Sequence, residues 1–272
     1  MKKFLRVILS GILVISLVGC GSSSDQEGQE ASILEQIKEK GSITMATSPD
    51  YPPYEFKIME DGKETVVGFD IEIAKEIASD LGVELLIEEL DFNALLVALN
   101  TNKADMVLAG MSPSEERIKE VDFSEVYYEG AQGILINASD ANDLTSLDSF
   151  QDKSVAVQKG SIQEAIAEEQ LVGAKLVSLG KVPNMVMELT TGKVSGIVME
   201  MPVAEGYLKQ FPELAIANIE VPYEVDGCAV AIKKGNEDLV EAVNQTLSRL
   251  ESEGKIVQFV EEANEIVATL NE

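Results

Sequence analysis

Two runs of alternating strand-like and helix-like segments, over residues 43–119 and 154–198, restrict this chain more than any other feature of its sequence. In the first run, residues 43–47 read as a short strand. Tyr51-Pro52-Pro53-Tyr54-Glu55-Phe56 reads as a rigid loop, because each proline fixes φ and lacks a ladder donor. Ile73, Ala74, Ile77, Ala78 and Leu81 recur at helical spacing before Gly82, which predicts an amphipathic helix over 70–81. A strand over 83–90, a helix over 92–99, a buried strand over 105–109 and a helix over 113–119 follow, the last with Glu115 and Glu116 in its first turn. That order predicts a parallel sheet with helices on both faces. The second run repeats it: a strand over 154–157, a Gly160-Ser161 turn, a helix over 162–169, a strand over 175–179 and a helix over 183–190. Thr191-Gly192-Lys193-Val194-Ser195-Gly196-Ile197-Val198 parallels Thr101-Asn102-Lys103-Ala104-Asp105-Met106-Val107-Leu108, each a helix stop leading into a buried strand.

The expected fold class is therefore α/β, with two doubly wound lobes. Residues 127–136 and 221–232 are extended and long enough to cross between the lobes, and two crossings make a hinge. Lobe one is expected over 41–131 and 225–272, including helices over 237–250 and 256–270, and lobe two over 132–224.

The N-terminus is set apart from this pattern. Met1-Lys2-Lys3-Phe4-Leu5-Arg6 followed by an apolar run to Val18 reads as an export signal over 1–19, too short for a comfortable membrane span. It ends in Leu17-Val18-Gly19-Cys20, which resembles the lipobox of bacterial lipoproteins, where the cysteine is acylated and becomes the new N-terminus. The other reading is a buried cysteine behind a signal cleaved elsewhere. The polar stretch GSSSDQEGQE at 21–30 suits a flexible tether, with the linker extending to residue 40. Cys228 is then the one remaining thiol. It sits in a strand-like run, reads as a small buried hydrophobe and receives no role.

Composition closes several routes to function. The chain has no histidine, which removes Ser-His-Asp and Cys-His catalysis and His-ligated zinc or haem; no metal or cofactor is expected. A formal charge of -27 with scattered basic residues argues against a nucleic-acid partner. A monomer is expected.

In a two-lobed α/β protein the ligand site lies between the lobes at the C-terminal strand ends, where loop amides and helix N-termini converge. Three arginines exist, Arg6, Arg117 and Arg249, and only Arg117 falls at such a place, one turn into a helix after a loop carrying Gly110 and Ser112. A guanidinium fork beside free amides makes a carboxylate site; pairing with Glu115, Glu116 or Asp122 on the surface is the alternative. Gly160, Ser161 and Ile162 open a helix whose amides can close over the same carboxylate.

Gly68-Phe69-Asp70-Ile71-Glu72-Ile73-Ala74 resembles the signature of the family 3 bacterial extracellular solute-binding proteins, the amino-acid receptors of ABC importers. Tyr51 to Phe56, Asp91-Phe92-Asn93-Ala94-Leu95, Ala109 to Arg117 and Val121-Asp122-Phe123-Ser124 recur in that family in the same order, and the resemblance covers residues 41–270. It implies a type II periplasmic-binding-protein fold closing around one free L-amino acid, with ABC permease subunits as partners. It also implies that Arg117 takes the α-carboxylate, while the Ser112 hydroxyl and Gly110 carbonyl meet the ammonium. Tyr51 and Phe92 would sandwich the ligand side chain, unless both are simply core. The family has an aspartate after the strand that ends this sequence's Ile197-Val198-Met199; here it is Glu200, which keeps the charge and adds a methylene, or else is a solvated strand-end glutamate. Ser48 stands where basic-amino-acid receptors of the family often carry aspartate, and Gln158 and Lys159 are within reach of the side-chain end.

Acidic ligands are disfavoured, since no second arginine serves the pocket. Arginine or lysine is expected first, by cation-π contact, and glutamine close behind. The alternative function is an enzyme like the cyclohexadienyl-acid dehydratases of the same fold, with Glu200 as general acid. The expected location is the extracytoplasmic face of the cell membrane, through the Cys20 anchor.

Overall fold

A computed structural model describes residues 32–223 and 227–270. The export signal, the Cys20 anchor and the 21–30 tether lie outside the described residues. Residues 33–40, grouped by sequence with the linker, form instead a helix, α1 (Ile33–Lys40), closed at its start by a Ser32–Glu35 capping box. Ile37 buries its side chain in the core, which fixes α1 to the folded body.

In chain order the following elements are β1 (Ser42–Thr47), β2 (Asp50–Tyr51), β3 (Glu55–Glu60), β4 (Lys63–Val67), α2 (Phe69–Leu81), β5 (Glu84–Glu89), α3 (Leu95–Asn100), β6 (Met106–Val107), α4 (Glu115–Glu120) and β7 (Val121–Tyr128). The second half holds β8 (Gln132–Asn137), β9 (Ser154–Gln158), α5 (Ile162–Gln170), β10 (Lys175–Leu179), α6 (Val182–Thr190), β11 (Gly196–Glu200), α7 (Met201–Gln210) and β12 (Leu214–Ile216). The chain then returns through β13 (Cys228–Lys233), α8 (Glu237–Ser252) and α9 (Lys255–Thr269).

Two five-stranded sheets result, ordered β5-β1-β6-β13-β7 and β10-β9-β11-β8-β12. The alternation predicts parallel sheets, but neither sheet is purely parallel. The returning β13 runs antiparallel between β6 and β7, and β8 runs antiparallel to both β11 and β12. The strand that comes back from the second sheet enters the first from its opposite end, so it must invert. The expected loop at 51–56 is also partly strand: β2, β3 and β4 make a small antiparallel sheet, and Pro52-Pro53 occupies the bend between β2 and β3.

Side chains alternate across each sheet with period two and feed different apolar clusters. On β9, Val155 and Val157 enter one cluster and Ala156 another; on β11, Val198 opposes Ile197 and Met199 in the same way. One cluster is shared by both lobes, joining Met45, Met106 and Val230 to Leu135, Ile197 and Met199. Helix α9 packs on α2 and α8 but also on α7 of the second lobe, a wider placement than the lobe-one packing expected.

The repeat at Thr101 and Thr191 is geometric as well as textual. The Thr101 hydroxyl donates to the Val97 carbonyl at 2.8 Å and the Thr191 hydroxyl to the Met187 carbonyl at 2.7 Å. Asn102 and Gly192 both take left-handed φ, 58° and 71°. The next strand is then tied in by Asp105 N–H on Thr44 O at 2.8 Å and Ser195 N–H on Ser154 O at 2.7 Å. Each lobe therefore uses the same helix-to-strand joint.

Candidate functional site

Ser48 and Tyr51 follow β1, Phe92 follows β5, Gly110 and Ser112 follow β6 and lead to Arg117 in α4, Gly160, Ser161 and Ile162 follow β9, and Glu200 ends β11, so the candidates come after the C-terminal ends of parallel strands. Arg117 is the third residue of α4, whose start is fixed by Ser114 as N-cap; the predicted start at Pro113 is two residues early. Arg117 is 9% exposed. Its Nη1 donates to the Ser112 carbonyl at 2.8 Å and its Nη2 to the Gly160 carbonyl of the other lobe at 3.0 Å. It lies over the Phe92 ring, 5.3 Å from the centroid. Among the described residues no carboxylate comes within ion-pair distance, so the surface pairing with Glu115, Glu116 or Asp122 does not occur. Burial pulls its pKa down to about 10, and it stays charged at neutral pH.

Glu200, at the end of β11, is 2% exposed rather than solvated. It accepts from the Tyr54 hydroxyl and, at 3.8 Å, from the Cys228 thiol, while its own N–H donates to the Tyr51 hydroxyl at 3.3 Å. Burial pushes its carboxyl up to about 7. Arg117 and Glu200 are thus a buried cation and a buried acid, neither with a protein counter-ion among the described residues, and Asp50, Glu55 and Asp70 are further buried acids of the same region.

The remaining candidates fall around this pair. Tyr51 is buried with its ring 5.5 Å from that of Tyr54, and Phe92 is buried under Arg117. Phe92 opens a 3-10 turn, Phe92–Ala94, and the α-helix expected from residue 92 begins at Leu95. Gly110 takes φ 54°, and a Cβ there would press on the Tyr51 ring at 3.3 Å. Ser161 caps α5 through Glu164 N–H, Ile162 is its first residue, and the Gly160 N–H is taken by the Glu164 carboxylate at 2.7 Å. Ser48 donates to the Asp50 carboxylate at 3.3 Å. Gln158 is buried, whereas the Lys159 side chain is exposed. The Thr47 hydroxyl and the Gln158 Nε2 are buried without a hydrogen-bond partner, while the Ser112 hydroxyl faces Tyr223 and the Gln132 Nε2 faces the Glu200 carboxylate without complete hydrogen-bond geometry.

Sequence reasoning missed Tyr54 and Asp70, and both lie in motifs it quoted. Asp70, in the first turn of α2, accepts the Gly110 N–H at 2.9 Å and so holds the Gly110–Ser112 loop. Phe69 packs against Tyr54, ring to ring at 4.4 Å, and Gly68 lets the chain pass against the Tyr54 carbonyl. The Gly68-Phe69-Asp70 motif therefore seats Tyr54 under Glu200 and anchors the loop beside Arg117. Gln132, which accepts from Gln163 at 3.0 Å and is register partner of Glu200, was also not anticipated. Among the described residues no group of acidic or cysteine side chains is arranged to hold a metal ion.

Residues 43–263 match the family model of the bacterial extracellular solute-binding proteins, family 3. The arginine-binding extracellular protein ArtP of Bacillus subtilis (strain 168) is 35% identical over 259 residues, 94% of this chain and 95% of that protein. A crystal structure of the amino acid ABC transporter substrate-binding protein AbpA from Streptococcus pneumoniae, bound to L-arginine, superposes with TM-score 0.84 at 38% identity, over 86% of this chain and 99% of that one. The ancestral amino-acid-binding protein AncCDT-1, a precursor of cyclohexadienyl dehydratase, superposes with TM-score 0.78 at 30% identity, covering 85% and 99%.

Proposed function

This chain belongs to the family 3 bacterial extracellular solute-binding proteins, as an amino-acid-binding protein of an ABC transporter and not an enzyme, and from that premise we propose that its ligand is L-arginine. The observation that carries the reading is Arg117: a buried guanidinium without a carboxylate partner, bonded to carbonyls of both lobes. An amino-acid α-carboxylate satisfies it bidentately, and of the helix-opening amides that of Ile162 adds a donor, since the Ser161 N–H is taken by the Gln158 carbonyl at 3.1 Å; the Ser112 hydroxyl accepts from the ammonium. Glu200, Tyr54 and the Gly110 carbonyl receive the ammonium. The Tyr51 and Phe92 rings flank the side chain, with Ser48 and Gln158 toward its far end. Arginine leads lysine and glutamine because its planar cation stacks on aromatic faces, and two relatives bear arginine in their descriptions. In this reading lobe one comprises 41–131 and 225–272 and lobe two 132–224, a monomer closes at the hinge, and the closed form delivers its ligand to the permease.

Truncation of Arg117 tests the assignment. Losing a charge-assisted fork in a closed site costs several kcal/mol. Arg117→Ala is expected to weaken L-arginine binding at least about a hundredfold, roughly 2.7 kcal/mol; parent-like affinity by calorimetry would refute the carboxylate role.

The reading also places the protein on the extracytoplasmic face, anchored through Cys20. Acylation of Cys20 in the Leu17-Val18-Gly19-Cys20 motif is the means of retention proposed; among the described residues no helix is long and apolar enough to cross a membrane. Cys20→Ala is expected to move the protein from the membrane fraction to the soluble fraction or the medium. Unchanged membrane retention would dismiss the lipid anchor.

A further inference from the structure

Helix α6 in lobe two begins without a cap of its own. The residue before it, Lys181, has no acceptor in its side chain, and no side-chain cap bond is made from within the lobe. The Val182 N–H instead meets the Asp50 carboxylate at 3.3 Å, across 132 residues of sequence and from lobe one. Asp50 is 8% exposed and is fixed on its own side by the Ser48 hydroxyl, 3.3 Å from its other oxygen. Its main-chain carbonyl accepts from the Tyr207 hydroxyl of α7, also in lobe two, at 3.4 Å. Burial pushes the Asp50 carboxyl up to about 6, and the largest opposing influences, Lys181 and the Val182 amide, both come from lobe two. A nearby ion pair, Lys181 with Asp91 at 2.9 Å, also spans the lobes, but both partners are about half exposed and such pairs contribute little.

We propose that Asp50 sets lobe closure: its carboxylate supplies from lobe one the N-cap that α6 of lobe two lacks, so the cap exists only when the lobes are shut. Asp50 is a positioning residue. It acts on affinity through the closed state, since a ligand that binds between lobes gains from whatever favours their contact. The proposal rests on the receptor reading for its effect on binding, but the cap itself is a property of the protein alone.

Two variants probe it from opposite sides of the cleft. Asp50→Ala removes the acceptor. Val182→Pro removes the donor and suits the backbone, because Lys181 has φ -127° and ψ 132°, as a residue before proline requires, and proline is favoured in a first helical turn. One label in each lobe reports the interlobe distance without ligand, and calorimetry reports L-arginine affinity. Each variant is expected to shift the distance distribution toward open forms and to weaken binding roughly fivefold, the scale of one lost cap. The double variant should be no worse than either single one, and Asp50→Asn, which keeps an acceptor oxygen, should restore most of the closure.

Unchanged distances in Asp50→Ala, with or without a lower melting temperature, would overturn the proposal, because Asp50 would then serve only its own lobe. Additive losses in the double variant would overturn it too. If L-arginine binds to none of these proteins, the parent included, the arginine assignment fails, while the ligand-free distances still decide the cap.

Discussion

Glu200 is the acid whose environment departs furthest from that of a strand-end carboxylate in water. Desolvation raises its pKa to about 7 from an ordinary 4.5; the Tyr54 hydroxyl and Gln132 offset part of this, and Asp70 adds to it. A carboxyl raised in the folded state holds its proton there more tightly than in the unfolded chain. Its penalty is therefore complete above about pH 7, shrinks as pH falls, and vanishes near 4.5. Glu200→Gln removes the charge and keeps an acceptor for Tyr54. Without ligand, this variant should be more stable than the parent at pH 8, by on the order of 3 kcal/mol, and equal to it near pH 4.5. Urea unfolding at the two pH values checks this, and equal stability at pH 8 would mean that Glu200 is effectively solvated. Arg117 was visible in the sequence because few arginines exist and its loop is distinctive. Tyr54 and Asp70 were not visible as site residues, because their partners, Glu200 and Gly110, stand 146 and 40 positions away.

Periodicity located most elements well. The strand β10 lies at 175–179 as read, and α2 starts one residue before the expected 70. Short elements governed by tertiary pairing were read less well: β6 covers only Met106–Val107 of the expected 105–109. The β3–β4 hairpin had a local signal that went unread, the Asp61-Gly62 turn, whose two residues take φ 50° and 78°. The prolines of Tyr51-Pro52-Pro53-Tyr54 drew attention to a loop and away from the strand after it. At the junction of this hairpin with α2, Gly68 takes φ 128°, and a Cβ there would stand 2.1 Å from the Tyr54 carbonyl oxygen and 2.9 Å from that of Pro53. A clash with main chain is not relieved by a rotamer change. Gly68→Ala should destabilise the protein by more than about 3 kcal/mol and displace Tyr54 from Glu200. Chemical denaturation measures the first effect, and a Gly68→Ala protein with parent stability would contradict the role given to the motif.

At the scale of the whole molecule, the two sheets were legible because each lobe repeats one local programme, down to the threonine-capped joints at Thr101 and Thr191. The inverted β13 was not, since no local pattern states which neighbour a returning strand will take. In the proposed reading both lobes bring to one place buried charged groups that lack an ion-pair partner among the described residues, Arg117 from one side and Glu200 from the other. A ligand bridging them binds the closed form and must raise folding stability, by about 2.7 kcal/mol at a hundred times its Kd. A thermal-shift screen of the twenty amino acids against the parent protein and Arg117→Ala tests this most directly. The account predicts the largest rise in Tm for L-arginine, with lysine and glutamine next, and no rise in Arg117→Ala. A screen in which glutamate or aspartate ranks first while arginine, lysine and glutamine are silent would contradict it.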